Sequence, residues 1–133
     1  EILVGGTTFT ALGSQELSLE ELKNYPLICL GRETMTFRFY NNLFLSHGLE
    51  LVPDTETATT DQILPMIMHN LGIGFYPKEM ASYAISTGVV LPIPLTETLP
   101  ERQVYLVVDE SKPQSIAVRK IIEELYETSS QSV

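Results

Sequence analysis

Apolar residues recur along this chain in two rhythms. Short continuous runs bounded by glycine or polar residues, ILV at residues 2–4, LICL at Leu27–Leu30 and GIGFY at residues 72–76, predict buried strands. RQVYLVVD at residues 102–109 gives the clearest strand, with Val104, Leu106 and Val108 alternating against Tyr105 and Val107. Residues 50–57 predict a further strand, broken by Pro53, and VVLPIPL an extended stretch. Between these runs the spacing turns helical. Residues 34–47 place Phe37, Tyr40 and Phe44 on one face, with Gly48 ending the helix in a left-handed conformation. Phe39 and Leu43 form a second apolar row on that helix, covered either by the same domain or by a second subunit.

Helix starts are marked by three capping boxes, in which a hydroxyl takes an orphan amide and an acid or amide three residues on reaches back. Ser18 with Glu21 heads a short helix over SLEELKN, Thr59 with Gln62 heads DQILPMIMHNL, and Ser111 with Gln114 heads a final helix. Pro65 lies inside the second, removing one hydrogen bond at a cost of about 3 kcal/mol, so that nearly all-apolar helix is expected to be buried and kinked. PKEMASYAIS carries Pro77 at its first turn. The final helix gathers Ala117, Val118, Ile121, Ile122 and Leu125 on one face, and residues 127–133 read as a frayed polar tail. GGTTFTALGSQ reads as a hydroxyl-rich connection. Strand and helix in alternation imply a mostly parallel α/β sheet covered on both faces, without internal repeats.

With 133 residues, 44% of them apolar, the chain is expected to fold as one domain with a real core. The net charge of -9, with no basic run longer than Arg119-Lys120, disfavours direct contact with a nucleic acid backbone. One cysteine, Cys29, allows no internal disulfide, and with no leader visible a reducing cytoplasm is the simpler setting. No apolar run approaches the roughly 20 residues of a membrane span. The sequence opens on Glu1 with ILV directly behind it, as though cut from something longer.

Candidate chemistry is sparse. His47 and His69 both fall near helix ends and read as caps before bases. One cysteine and two scattered histidines do not make a zinc site, Cys29 reads as a core residue, and neither a G-x-S-x-G elbow nor a Walker sequence is present. The glycines of HNLGIGFYPKEM close a helix and open a strand. That order reverses the dinucleotide fingerprint and suggests Gly72 as a helix C-cap and Gly74 as a point of close backbone packing. Ligand binding is better placed at the helix starts Thr34, Met35, Thr36 and Thr59, Thr60, Asp61. There unpaired amides and hydroxyls favour an anion such as a carboxylate. Ordinary capping accounts for each end alone; two such ends opening on one crevice would make a site.

LSLEELKNYPLICLG, FLSHGLELV, TTDQILPMIMHNLGIGFYPKEMA, GVVLPIPL and ERQVYLVVDESKPQSIAVRKIIEEL, in that order and spacing, resemble the effector-binding domain of LysR-type transcriptional regulators. The family's glycine run is NLGIGFYP here, with Asn70 in place of a small residue. The resemblance implies a periplasmic-binding-protein-like (type 2) α/β fold of two lobes, with a small-molecule inducer in the cleft. Here it would comprise one complete second lobe at residues 9–100, crossing strands within 1–8 and 102–109, part of the first lobe to residue 127, and a disordered tail at 128–133. It implies effector contacts at Thr34, Met35, Thr36, Gly5 and Thr7, and in some members at Thr59 to Asp61. Met35 and Thr36 depart from the family's usual residues there and leave the ligand's polarity open. Arg32 would supply charge to a carboxylate or pair with Glu33. Phe39 and Leu43 would lie at the interface of a homodimer or homotetramer. The resemblance further implies binding without catalysis, no cofactor or metal, and DNA contact only through a helix-turn-helix absent here. A transporter's solute-binding protein, which shares the fold, is the alternative.

Overall fold

The apolar runs before residue 94 do form strands, but their directions differ from a mostly parallel sheet. The computed structural model describes residues 1–103, 105–109 and 111–130, and the chain falls into two units, Glu1–Arg102 and Gln103–Val133. In the first, β1 (Ile2–Gly6), β2 (Leu27–Leu30), β3 (Thr55–Thr57), β4 (Ile73–Tyr76) and β5 (Val90–Ile93) make one sheet in the order β3-β2-β4-β1-β5. β2 is parallel to β3 and β4, whereas β1 is antiparallel to both β4 and β5. The sheet is therefore mixed. β1 is an interior strand of this sheet, with Leu3 and Val4 at 1% and 0% exposure.

Helices α1 (Met35–Ser46), α2 (Thr60–Met68) and α3 (Lys78–Ser86) cover the faces. The steps β2 to β3 and β3 to β4 run in opposite directions across the sheet, so right-handed crossovers place α1 and α2 on opposite faces. The strands alternate accordingly. Leu27 and Cys29 face a core built on Phe37, Tyr40 and Phe44 of α1, while Ile28 and Leu30 face Ile63 and Ile67 of α2. Aromatic rings join α1 to β4: Tyr40 stacks on Phe75 at 4.5 Å between centroids, and Phe44 meets the same ring edge-on at 6.4 Å.

Several local expectations change. Residues 51–54 are not strand, leaving β3 three residues long. The GGTTFTALGSQ connection winds into 3-10 turns at Thr7–Ser14, and the Ser18 and Glu21 box heads only a 3-10 helix, Glu21–Asn24. The box itself forms, Ser18 N to Glu21 Oε2 at 2.8 Å and Glu21 N to Ser18 Oγ at 3.3 Å. α2 is buried on one face only, because Pro65 and Met68 point outward. Leu43 lies in the core at 7% exposure and Phe39 is half-buried against it. The domain itself thus covers Leu43, the first of the two readings of that row.

Three helices end alike. At Gly48 (φ +73°) and Gly88 (φ +74°) a left-handed residue lets the next amide reach back five residues, Leu49 N to Phe44 O at 2.9 Å and Val89 N to Ala84 O at 3.1 Å. At the end of α2 Asn70, φ +61°, holds this position, with Leu71 N to Met66 O at 3.1 Å. The helix-ending left-handed role expected of Gly72 is thus Asn70's, one residue after the His69 C-cap. Gly72 is required for another reason: a Cβ there would lie 2.4 Å from Pro26 O. Gly74 is a point of close packing, 2.9 Å from Ile28 O by the same measure. Asn70 Oδ1 also accepts from Thr8 N at 2.8 Å, pinning the turn after β1.

The second unit contains α4 (Ile116–Ser130). No strand is formed by the described residues of 102–109; Tyr105, Leu106 and Val107 are 74%, 53% and 89% exposed, and Val104 lies outside the described residues. The third capping box does not form, because Asp109 Oδ1 takes the Ser111 hydroxyl at 2.6 Å; Ser115 Oγ accepts from Val118 N at 3.3 Å instead. Helix continues through Ser130, where a frayed tail was expected; residues 131–133 lie outside the described residues.

Three outcomes follow. Asn70→Ala forces a left-handed alanine and loses the Thr8 bond, and should cost about 2 kcal/mol in urea unfolding, with Asn70→Gly costing about half that. Leu43→Glu should abolish the folded circular dichroism signal at 25 °C rather than merely reduce the mass of an assembly, since it buries a carboxylate in the core. Burial, with Glu56 and Asp54 nearby, pushes the Cys29 thiol up to about 12; a thiol reagent at pH 8 should label it only in denaturant.

Candidate functional site

β2, β3 and β4 end at one edge of the sheet, and β1, running the other way, begins there. Leu30 pairs with Thr57, and Ile2 pairs with Tyr76. This carboxyl edge, where open α/β sheets place ligands, therefore carries the starts of α1 and α2 together with Glu1. Gly31 N donates to Thr57 O at 3.0 Å, so the segments leading into the two helices begin side by side.

The two helix starts are electrostatically different. At α1 Thr34 is fully engaged as a cap: its hydroxyl donates to Gly31 O at 2.8 Å and accepts from Phe37 N at 3.1 Å. The first turn of α1 has no acidic residue, so the partial positive charge of its end is not answered from within the turn. Met35 is 75% exposed and Thr36 half-buried beside it. At α2 Gln62 Oε1 accepts from Ala58 N at 3.0 Å and Thr59 N at 3.3 Å, and Asp61 sits in the first turn. A second anion would meet the Asp61 carboxylate there. Asp61 also adds to burial in raising the Tyr76 phenol above its ordinary range. Arg32, expected beside Glu33, pairs with Glu56 Oε1 at 3.0 Å. Within its first turn α1 is the less acidic of the two ends, with Glu33 one residue before its Thr34 cap and Thr59, Thr60 and Asp61 forming its acidic neighbour.

Gly5 and Thr7 are elsewhere. Gly5 pairs with Ile73 at the opposite end of β4, roughly 10 Å along the strand from Ile2. Thr7 lies beyond it, its hydroxyl 3.5 Å from Asn70 Oδ1. The antiparallel direction of β1 is the cause: the chain passes the carboxyl edge at Glu1 and leaves it by Gly5.

The same edge holds groups that sequence patterning passed over. Arg102 Nε lies 3.1 Å from Glu1 Oε1, and its Nη1 donates to Thr36 Oγ1 at 3.3 Å. Tyr40 donates its hydroxyl to the other Glu1 oxygen. Glu1 is 5% exposed, a buried carboxylate held by a guanidinium and a phenol. Burial first, and then the bond to Glu1, raise the Tyr40 phenol well above its ordinary range. Tyr40 had registered only as an apolar helix position and Arg102 only as the head of a strand. The available signal was a charge at the head of each apolar run, Glu1 directly before ILV and Arg102 separated from VYLVV by Gln103 alone. His47 and His69, at the C-caps of α1 and α2, lie away from this edge, and His47 Nδ1 is 3.0 Å from Leu43 O. The arrangement offers a hydroxyl, a guanidinium and first-turn amides, a set suited to holding a ligand.

The fold is that of solved LysR-type regulatory domains. It is similar to the regulatory domain of CcmR from Synechocystis PCC6803, solved in complex with 2-PG, at a TM-score of 0.78 and 15% identity, over 96% of this chain and 61% of that one. It is also similar to the regulatory domain of HypT from Salmonella typhimurium in its apo form (0.55, 17%, 69% and 43%) and to that of CrgA from Neisseria meningitidis (0.52, 14%, 69% and 45%). The chain thus spans about half the length of these structures. No curated protein sequence matches it. Residues 6–130 match the family model described as the LysR substrate binding domain, and the chain belongs to that family.

Proposed function

We propose that this domain senses a small-molecule effector for a bacterial LysR-type transcriptional regulator. The effector binds at the carboxyl edge, within an interlobe cleft, and thereby controls DNA binding by a helix-turn-helix domain outside this sequence. The observation that carries the reading is the α1 end: a first turn without acid, with Thr36 and Arg102 beside it, next to an α2 end already carrying Asp61. It favours a carboxylate or other anion, held at Met35 and Thr36 beside the Thr34 cap, whose hydroxyl and amide are both given to Gly31 O, while Thr59 and Thr60 flank the site. Gly5 and Thr7 are not part of it.

The mechanism is a shift between arrangements of a homodimer or homotetramer, limited by the ligand's differential affinity for them. No helix among the described residues is long and apolar enough to cross a membrane. Of the proposed subunit contacts, only half-buried Phe39 still has surface to contribute.

Melting of the full-length protein against a panel of small anions tests this, with 2-PG as the first probe because the Synechocystis domain was solved with it. A ligand at a hundredfold excess over its Kd should stabilise by about 2.7 kcal/mol. Thr36→Ala should remove the shift and Thr59→Ala should leave most of it. A panel without any shift, or a shift untouched by Thr36→Ala, would sink the assignment.

A further inference from the structure

One guanidinium reaches every part of the corner where α1, the start of β1 and the end of the first unit meet. Besides its contacts with Glu1 and Thr36, Arg102 lies over the rings of Phe39 and Tyr40, 4.9 and 5.7 Å from their centroids. Tyr40 closes the ring of contacts through Glu1. Glu1 is nearly inaccessible while Arg102 keeps a third of its side chain exposed, so the charge is compensated inward and the fork's outer edge stays open.

We infer that Arg102 is a positioning residue: it fastens the first turn of α1 to both ends of the Glu1–Arg102 unit and sets the direction of the Thr36 hydroxyl. The planar fork gives one partner each to Glu1 and Thr36 at fixed separation, which an ammonium on a flexible stem does not reproduce. A hydroxyl whose oxygen accepts from a guanidinium retains its own proton for donation. Thr36 is thereby kept as a donor to an acceptor ligand, a carboxylate, phosphate or carbonyl oxygen. Without Arg102 it is free to turn toward nearby backbone carbonyls, as helix threonines do. Loosening this one side chain would release the strand start, the chain's exit and the ligand end together.

The relevance of the clasp to ligands rests on the function proposed above, but its test needs no ligand, so failure of every anion to bind would count against that function alone. Amide hydrogen exchange of the 133-residue chain is measured in Arg102→Gln and Arg102→Lys, with Thr36 side-chain averaging followed by NMR couplings. In Arg102→Gln the amides of residues 37–40 should exchange about tenfold faster while those of Lys78–Ser86 hold, and Thr36 should pass from one rotamer to several. Arg102→Lys should restore only part of the protection. Unchanged exchange at residues 37–40, equal acceleration throughout the unit, or full rescue by lysine would each overturn the inference. If Arg102→Gln does not fold, Tyr40→Phe keeps the ring and removes only the bond to Glu1. It should produce a smaller acceleration at the same amides, and none there overturns the inference.

Discussion

A carboxylate cannot be taken out of water without compensation, and Glu1 is taken out almost completely. Everything at the carboxyl edge is arranged around that constraint. Tyr40 can answer Glu1 only because α1 lies across β4 with Tyr40 stacked on Phe75. Arg102 can answer it only because β1 is antiparallel to its neighbours and so begins where the parallel strands end. The chemistry of the edge is a consequence of one strand direction. Were β1 parallel to β4, Gly5 and Gly6 would stand at the carboxyl edge and Glu1 at the far end, beside Asn70.

Strand direction is also what the sequence conceals. Binary patterning marks a buried strand equally well whichever way it runs, so ILV, LICL and GIGFY were legible as strands, while the mixed sheet was not. Gly5 and Thr7, which the resemblance implied as contacts, lie near the chain's start but not near the carboxyl edge, because β1 runs away from it. Thr34 and Gly48 were legible because capping is local: a hydroxyl three residues before an amide, a glycine where φ must be positive. Asn70 was passed over as a cap in favour of Gly72, since glycine is the commoner left-handed residue and the close approach to Pro26 cannot be read from one dimension. Residues 102–109 show the opposite failure. They alternate as cleanly as any strand in the chain, but alternation states only which faces a strand would have, not that a partner is present.

The two helix starts show how one motif gives ends of different charge. Both follow parallel strands, both are capped by threonine, and both open at the same edge. Asp61 answers its own helix dipole from within the first turn, whereas the acid next to α1's start is Glu33, one residue before the Thr34 cap. Hydroxyls and unpaired amides at two helix starts identified both ends as candidates; only the local charges rank them.

The sheet's margins carry a consequence for how this domain behaves among its own kind. β3 at one edge is three residues long, and β5 at the other contains Pro92, which has no amide hydrogen to give. Unprotected strand edges recruit further strands and grow into aggregates. Here one margin is too short to template a neighbour and the other is interrupted in its ladder, so a concentrated population of these domains has little means of joining sheet to sheet.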